Sequence, residues 1–167
     1  MLSLMMAMSL VARTQSDDSN FVKAEQLYKE QSFKKAVVLY RKSADEGNVS
    51  ALYVLANCYY YGQGVERDVK QAVGMWRQCA EKGHVDAQNR VGACYYEGEV
   101  VEKNFDEAVR WWKLAAEQGN MSAQFDLGIC YYNGHGVERD FEKAMELWRM
   151  SAKQGNADAI GMLKMFE

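Results

Sequence analysis

Apolar positions recur along this chain as two alternating helical stripes. After residue 119, Ala123, Leu127, Gly128, Cys130 and Tyr131 fall at helical spacings, which predicts an amphipathic helix of about 12 residues. Asn120 is placed to cap it, and Gly119 suits a left-handed stop for the helix before. The stripe breaks at Asn133-Gly134-His135-Gly136, a loop whose glycines permit positive φ. Asp140 then caps a second helix, whose predicted buried face is Phe141, Ala144, Met145, Trp148, Ser151 and Ala152. We call the first helix of the pair A and the second B. Gly128 and Ala144 predict a close approach of A to B, with Trp148 filling space towards the neighbouring pair.

The same pattern runs through most of the chain. Gly47, Gly83, Gly119 and Gly155 stand 36 residues apart. The period also carries Ala72, Ala108 and Ala144; Trp76, Trp112 and Trp148; Cys58, Cys94 and Cys130; and the pairs Tyr59-Tyr60, Tyr95-Tyr96 and Tyr131-Tyr132. A fixed period of this size predicts stacked copies of one helical unit, because neither helix of a pair can bury its apolar face alone. Asp68 and Asn104 hold the B-cap position, each followed three residues later by Gln71 or Glu107, the arrangement of a capping box. Asp140 has Lys143 at that place and caps alone.

Leu127-Gly128-x-x-Tyr131-x-x-Gly134-x-Gly136-Val137-x-x-Asp140, followed by Ala144, Trp148, Ala152 and Gly155, resembles the Sel-one-like repeat (SLR) branch of the tetratricopeptide (TPR) repeats. Three full copies span residues 48–155. In the middle copy, Gly98-Glu99-Val100-Val101 replaces the Gly-x-Gly-Val loop, and Val100 disfavours positive φ, so that loop is expected to differ in shape. Ala24, Leu27, Phe33, Ala36, Tyr40 and Ser43 follow the ordinary tetratricopeptide pattern, with a connection four residues shorter. The expected organisation is a hydrophobic segment at 1–17, a TPR-like pair at 18–47, SLR repeats at 48–83, 84–119 and 120–155, and a capping helix at 156–167. The expected fold is all-α: a right-handed superhelical α/α solenoid of TPR/SLR helix pairs closed by a C-terminal capping helix.

Composition narrows the function classes. A hydrophobic content of 49% supports a continuous core, and the absence of proline suits long helices. The net charge of −3 argues against nucleic acid as a partner, since phosphate binding needs a basic stripe. No apolar run reaches the length of a membrane span. Leu2 to Ala12 is uncharged and rich in Met and Leu. Two readings of it stand: a secretory signal remnant lacking its charged start, or an amphipathic capping segment. Localisation is accordingly left open between cytoplasmic and exported or periplasmic.

Candidate chemistry is sparse. The repeat sets the spacing of Cys58, Cys94 and Cys130, and Cys79 shares its register with Ala115 and Ser151, so four buried free thiols are expected. His84 occupies the turn position held elsewhere by Asn48, Asn120 and Asn156, and His135 lies in a Gly-x-Gly loop. Neither forms a metal-ligand spacing, and no cofactor, metal or catalytic residue is expected. Asn48-Val49-Ser50 and Asn120-Met121-Ser122 match the glycosylation sequon, but helix capping accounts for both.

In a helix-pair solenoid the A helices line the concave side. The A-helix residues outside the packing stripe are Tyr28, Tyr53, Asn57, Tyr60, Asn89, Tyr96, Glu97, Phe125, Tyr132 and Asn133, a set suited to binding a protein or peptide. A competing reading has Tyr60, Tyr96 and Tyr132 stacking on one another as part of the fold. The resemblance implies a non-catalytic adaptor or scaffold. Its alternatives are an exported envelope or host-interaction factor and a regulatory subunit of an enzyme. The partner is expected to be a protein or peptide, and the chain a monomer.

Overall fold

The computed structural model describes residues 18–166; the hydrophobic segment 1–17, with its two readings, lies outside them. Every regular element among the described residues is a helix. In chain order these are α1 (Ser19–Lys29), α2 (Phe33–Asp45), α3 (Val49–Tyr61), α4 (Val69–Glu81), α5 (Val85–Glu97), α6 (Phe105–Glu117), α7 (Met121–Asn133), α8 (Phe141–Lys153) and α9 (Ala157–Lys164). Odd-numbered helices are A helices and even-numbered ones are B helices.

One capping device starts four of the A helices. The side chains of Asn48, Asn120 and Asn156 accept hydrogen bonds from the backbone N–H of Ala51, Ala123 and Ala159 at 2.9–3.0 Å. His84 does the same to Ala87 at 3.4 Å through Nδ1. These alanines are fully buried, so a small apolar residue and a side-chain cap recur together. The sequon amides are engaged on their other side too: Asn48 Nδ2 donates to Asp18 and Asn120 Nδ2 to Asp86.

The B helices start differently from expectation. Asp68, Asn104 and Asp140 cap Gln71, Glu107 and Lys143 as predicted. The reciprocal half of the capping box is absent. The backbone N–H of each cap residue donates instead to the carbonyl of Tyr59, Tyr95 or Tyr131, at 2.9 Å in all three cases. The A helix itself satisfies that donor, which leaves Glu107 to pair with Arg110 at 2.9 Å. Lys143 therefore costs its repeat nothing as a cap.

The chain divides into two compact units, one ending at Met75 and the other beginning at Trp76. The first unit is built on Ala24, Ala36, Val37, Tyr40, Ala51, Leu55 and Cys58. In it α1 and α2 are joined by residues 30–32, whereas α3 and α4 are joined by 62–68, the four-residue difference expected. Gln31 makes the short turn possible by adopting φ 59, the only positive φ outside glycine among the described residues. Val100 therefore avoids positive φ, and the middle loop does differ from its neighbours.

The second unit shows what the small residues are for. Trp112 and Trp148 lie over Gly92 and Gly128 of their own repeats, where a Cβ would stand 2.7 Å and 2.4 Å from the indole. Each indole N–H donates to an A-helix carbonyl, Asn89 or Phe125, at 3.2 Å. The tryptophan thus locks A to B within its own repeat, and Trp148 also reaches the next unit as predicted, packing with Ala159 and stacking on Phe166 6.0 Å away. The B stripe also shifts from prediction: Ala144, Leu147, Trp148 and Ser151 are buried, whereas Phe141 is 45% exposed at the helix start and Met145 and Ala152 are half-buried. Two buried glutamines were not anticipated. Gln88 and Gln124 donate to the carbonyls of Ala80 and Ala116 and accept from Gln118 and Gln154, so their amides are paired on both sides.

All four cysteines are free, three of them buried and Cys94 half-buried. Burial pushes the Cys58, Cys79 and Cys94 thiols up to about 11 and Cys130 to about 12. They are packing residues, protonated at neutral pH.

Candidate functional site

Helices α1, α3, α5 and α7 each place a tyrosine one residue before their end, and the structure separates two roles for it. In the first unit the Tyr28 hydroxyl donates to Gln63 Oε1 at 2.6 Å, and its ring meets Phe33 edge-on at 5.0 Å. In the second unit Tyr96 packs on Phe105 and Trp112 at 5.1 and 5.3 Å, and its hydroxyl lies 3.1 Å from His135 Nδ1. His135 in turn stacks flat on Phe105, 4.4 Å away. Gln63 and His135 hold the same loop position, so the loop of one repeat pins the tyrosine of the repeat before it. The geometry makes this possible because Gly64 and Gly136 let the loop backbone settle onto the start of the preceding B helix.

Tyr96 and Tyr132 each lie against the tryptophan of their own repeat. Tyr132 sits 5.6 Å from Trp148, 6.1 Å from Phe141 and 5.8 Å from Phe166. Here Phe166 stands where a following loop stands in the other two cases. Tyr60 contacts Tyr61 edge-on at 4.9 Å and has the Arg67 guanidinium 5.8 Å from its ring centre. Arg139 repeats that arrangement over Tyr132 at 5.7 Å.

The remaining expected site residues spread over both units. Tyr53 and Asn57 are half-buried in the first. In the second, Glu97 and Asn133 are exposed, and Asn89 and Phe125 are half-buried. Backbone carbonyls of Asn89 and Phe125 serve the tryptophan locks, while Asn89 Oδ1 is buried with no hydrogen-bond partner among the described residues.

Asp126 on α7 is a neighbour of this set that sequence reading missed. It is half-buried and makes no hydrogen bond among the described residues. Burial pushes its carboxyl up to about 7, with repulsion from Glu97 on α5 and Asp158 on α9 adding to the effect. Only its position in the stack creates this environment; the same register holds Arg90 one repeat earlier. A carboxyl that binds its proton more tightly when folded adds stability at low pH, and that contribution is lost as pH rises through its folded-state value. Asp126→Asn is therefore expected to stabilise the protein at about pH 8, on the order of 1–2 kcal/mol, and to be nearly neutral at about pH 4. Thermal melts of both proteins across that range check it; a gain independent of pH would assign the effect to packing.

Among the described residues no group of three potential metal ligands gathers, and no helix is long and apolar enough to cross a membrane. Stacked helix pairs, two of them closed by a tryptophan lock, carrying partly exposed aromatic and amide side chains on their A helices, define an α/α repeat protein. The chain belongs to the Sel1 repeat family, whose model matches residues 25–48, 49–84, 85–120 and 122–156. It is similar to a protective antigen present in uropathogenic Escherichia coli strains displaying an SLR fold, at 33% identity and TM-score 0.83 over 93% of this chain and 34% of that one. A Sel1 repeat protein from Oxalobacter formigenes matches at 27% identity and TM-score 0.80, over 87% of this chain and 60% of that one. Helicobacter pylori cysteine rich protein B shares the fold at 20% identity and TM-score 0.60, over 77% of this chain and 96% of that one. The chain thus spans about a third of the length of the first structure and 60% of the second. No curated protein matches the sequence. Sel1 repeats generally mediate protein interactions, and the family is typically a non-catalytic scaffold.

Proposed function

We propose that the chain is a non-catalytic module that binds a protein or peptide partner through the A-helix face of its repeats. The carrying observation is that A-helix residues outside the core stay at least partly in solvent, while the B-helix tryptophans are buried. In the second unit these are Asn89, Glu97, Phe125 and Asn133; in the first, Tyr53 and Asn57. Half-exposed aromatic rings with amides beside them offer apolar area and hydrogen-bonding tips together. Tyr28 and Tyr96 take a different part in this reading. Their hydroxyls are committed to Gln63 and His135, so they position the face more than they touch the partner.

A photo-crosslinking side chain at Asn133 or Glu97 is expected to capture the same partner from the native cell, whereas one at Lys70, exposed on a B helix, captures none. Tyr53→Ala combined with Phe125→Ala should weaken capture about tenfold or more, since buried aromatic anchors dominate such interfaces. Far-UV circular dichroism should show helicity retained. Equal crosslinking from Lys70, or undiminished capture by a folded double variant, would move the site off the A helices.

A further inference from the structure

The second unit has a recess on its B-helix side that the A-helix reading does not use. It has a volume of about 410 Å³ and lies between α6, α7 and α8, with Leu127, Tyr131, Leu147 and Met150 as its apolar lining. Lys113 and Lys143 flank it, against one carboxylate, Glu117. Its size falls within the range of small-ligand and side-chain pockets. Its wall carries one telling difference between repeats. Leu147 occupies the B-helix position that Trp111 occupies 36 residues earlier, and Trp111 is only 4% exposed. One repeat supplies its own indole at this register. The next supplies a smaller side chain.

We infer that this recess is a docking site for a tryptophan side chain of a partner segment that carries an acidic residue beside it. The self-supplied indole of Trp111 identifies the shape that the register accommodates. The rim charge identifies the neighbour. Lys113 and Lys143 outnumber Glu117, and neither lysine makes an ion pair among the described residues. Lys143 Nζ already stands 5.6 Å from the Tyr131 ring centre, and Arg110 stands 4.5 Å from that of Trp111. A cation over an aromatic face is thus the local habit, and an incoming indole extends it. A carboxylate next to that indole meets the excess positive charge of the rim. This surface is independent of the A-helix face, so either assignment stands or fails alone.

The probe is N-acetyl-tryptophan, with its uncharged amide and N-acetyl-leucine as comparisons, added to the full chain. Amide chemical-shift mapping should place N-acetyl-tryptophan at Leu127, Lys143 and Leu147, with Kd of about 0.1–1 mM. The amide should bind roughly threefold more weakly at low salt, a difference that high salt removes, and N-acetyl-leucine weaker still. Leu147→Trp should stay folded, fill the recess from within as Trp111 does, and lose probe affinity about tenfold or more. Lys113→Glu with Lys143→Glu changes only exposed side chains and should reverse the preference of acid over amide. Absence of binding to the parent protein, shifts that map elsewhere, or undiminished binding to folded Leu147→Trp would each overturn the assignment. Should Leu147→Trp fail to fold, the lysine variant decides: an unchanged preference for the acid sinks the inference.

Discussion

Trp148→Ala is expected to cost about 3–5 kcal/mol of stability in denaturant melts. The indole is fully buried, touches Tyr132 and Phe166 at 5.6 and 6.0 Å, and donates to the Phe125 carbonyl at 3.2 Å. Removing it leaves a cavity and takes the second hydrogen bond from a carbonyl of α7. Gly128→Ala attacks the same lock from the other side. The added methyl would meet Trp148 Nε1 at 2.4 Å, so the ring must move and its hydrogen bond weaken. Overpacking of this kind costs about 1–3 kcal/mol, although alanine is the better helix former by about 1 kcal/mol. With Trp148 already removed there is no ring to strike, and Gly128→Ala should become neutral or slightly stabilising. The double-mutant cycle should therefore show a coupling of at least about 1 kcal/mol. Additive costs would mean that Gly128 is small for a reason other than Trp148.

That lock marks how far the sequence could be read. From residue 48 onwards the period placed the A and B helices and their caps, because capping and helix stops depend on a residue and its near neighbours in the chain; Asp18, which caps α1 ahead of the period, was not read. Gly128, Trp148 and Phe125 were separately visible, but which space the indole fills depends on the rotation of B about its axis. The assignment of Phe141 to the core failed for that reason, and the seat of Trp148 over Gly128 of its own repeat was missed, although its reach to the following helix was read correctly. Long-range polar pairs were invisible for the same cause. Gln88 with Gln118, and Tyr96 with His135, are set by the register between repeats, to which a composition or spacing rule has no access. Of the candidate face, the helix and the exposed register were legible. The commitment of the Tyr28 and Tyr96 hydroxyls was not, nor was the buried environment that turns Asp126 into a proton-binding group.

Gly136→Ala is expected to cost about 3 kcal/mol, well above Gly134→Ala, although both glycines belong to one loop motif and both have positive φ. The shared part is the left-handed backbone, φ 67 at Gly136 and 76 at Gly134, which costs a residue with a Cβ about 1–2 kcal/mol. The surroundings differ. At Gly134 the nearest atom to an added Cβ is Arg139 Cβ at 3.5 Å, an ordinary contact with a flexible side chain. At Gly136 the Cβ would stand 2.4 Å from the Phe105 carbonyl oxygen and 2.9 Å from the Asp106 nitrogen, both backbone atoms at the start of α6. Those atoms cannot step aside, so the loop must lift. Lifting it withdraws His135 from Phe105 and from the Tyr96 hydroxyl. Gly136→Ala should accordingly change the His135 ring resonances as well as the unfolding midpoint, while Gly134→Ala changes the midpoint alone. Val100→Gly provides the control, because the middle loop has already abandoned positive φ at that position. If the loop were strained by valine, glycine would stabilise it; with no strain to relieve, the greater freedom of the unfolded chain should make Val100→Gly cost about 0.5–1 kcal/mol. A stabilised Val100→Gly, or equal costs at Gly134 and Gly136, would show that backbone contact at the start of the B helix does not hold these loops.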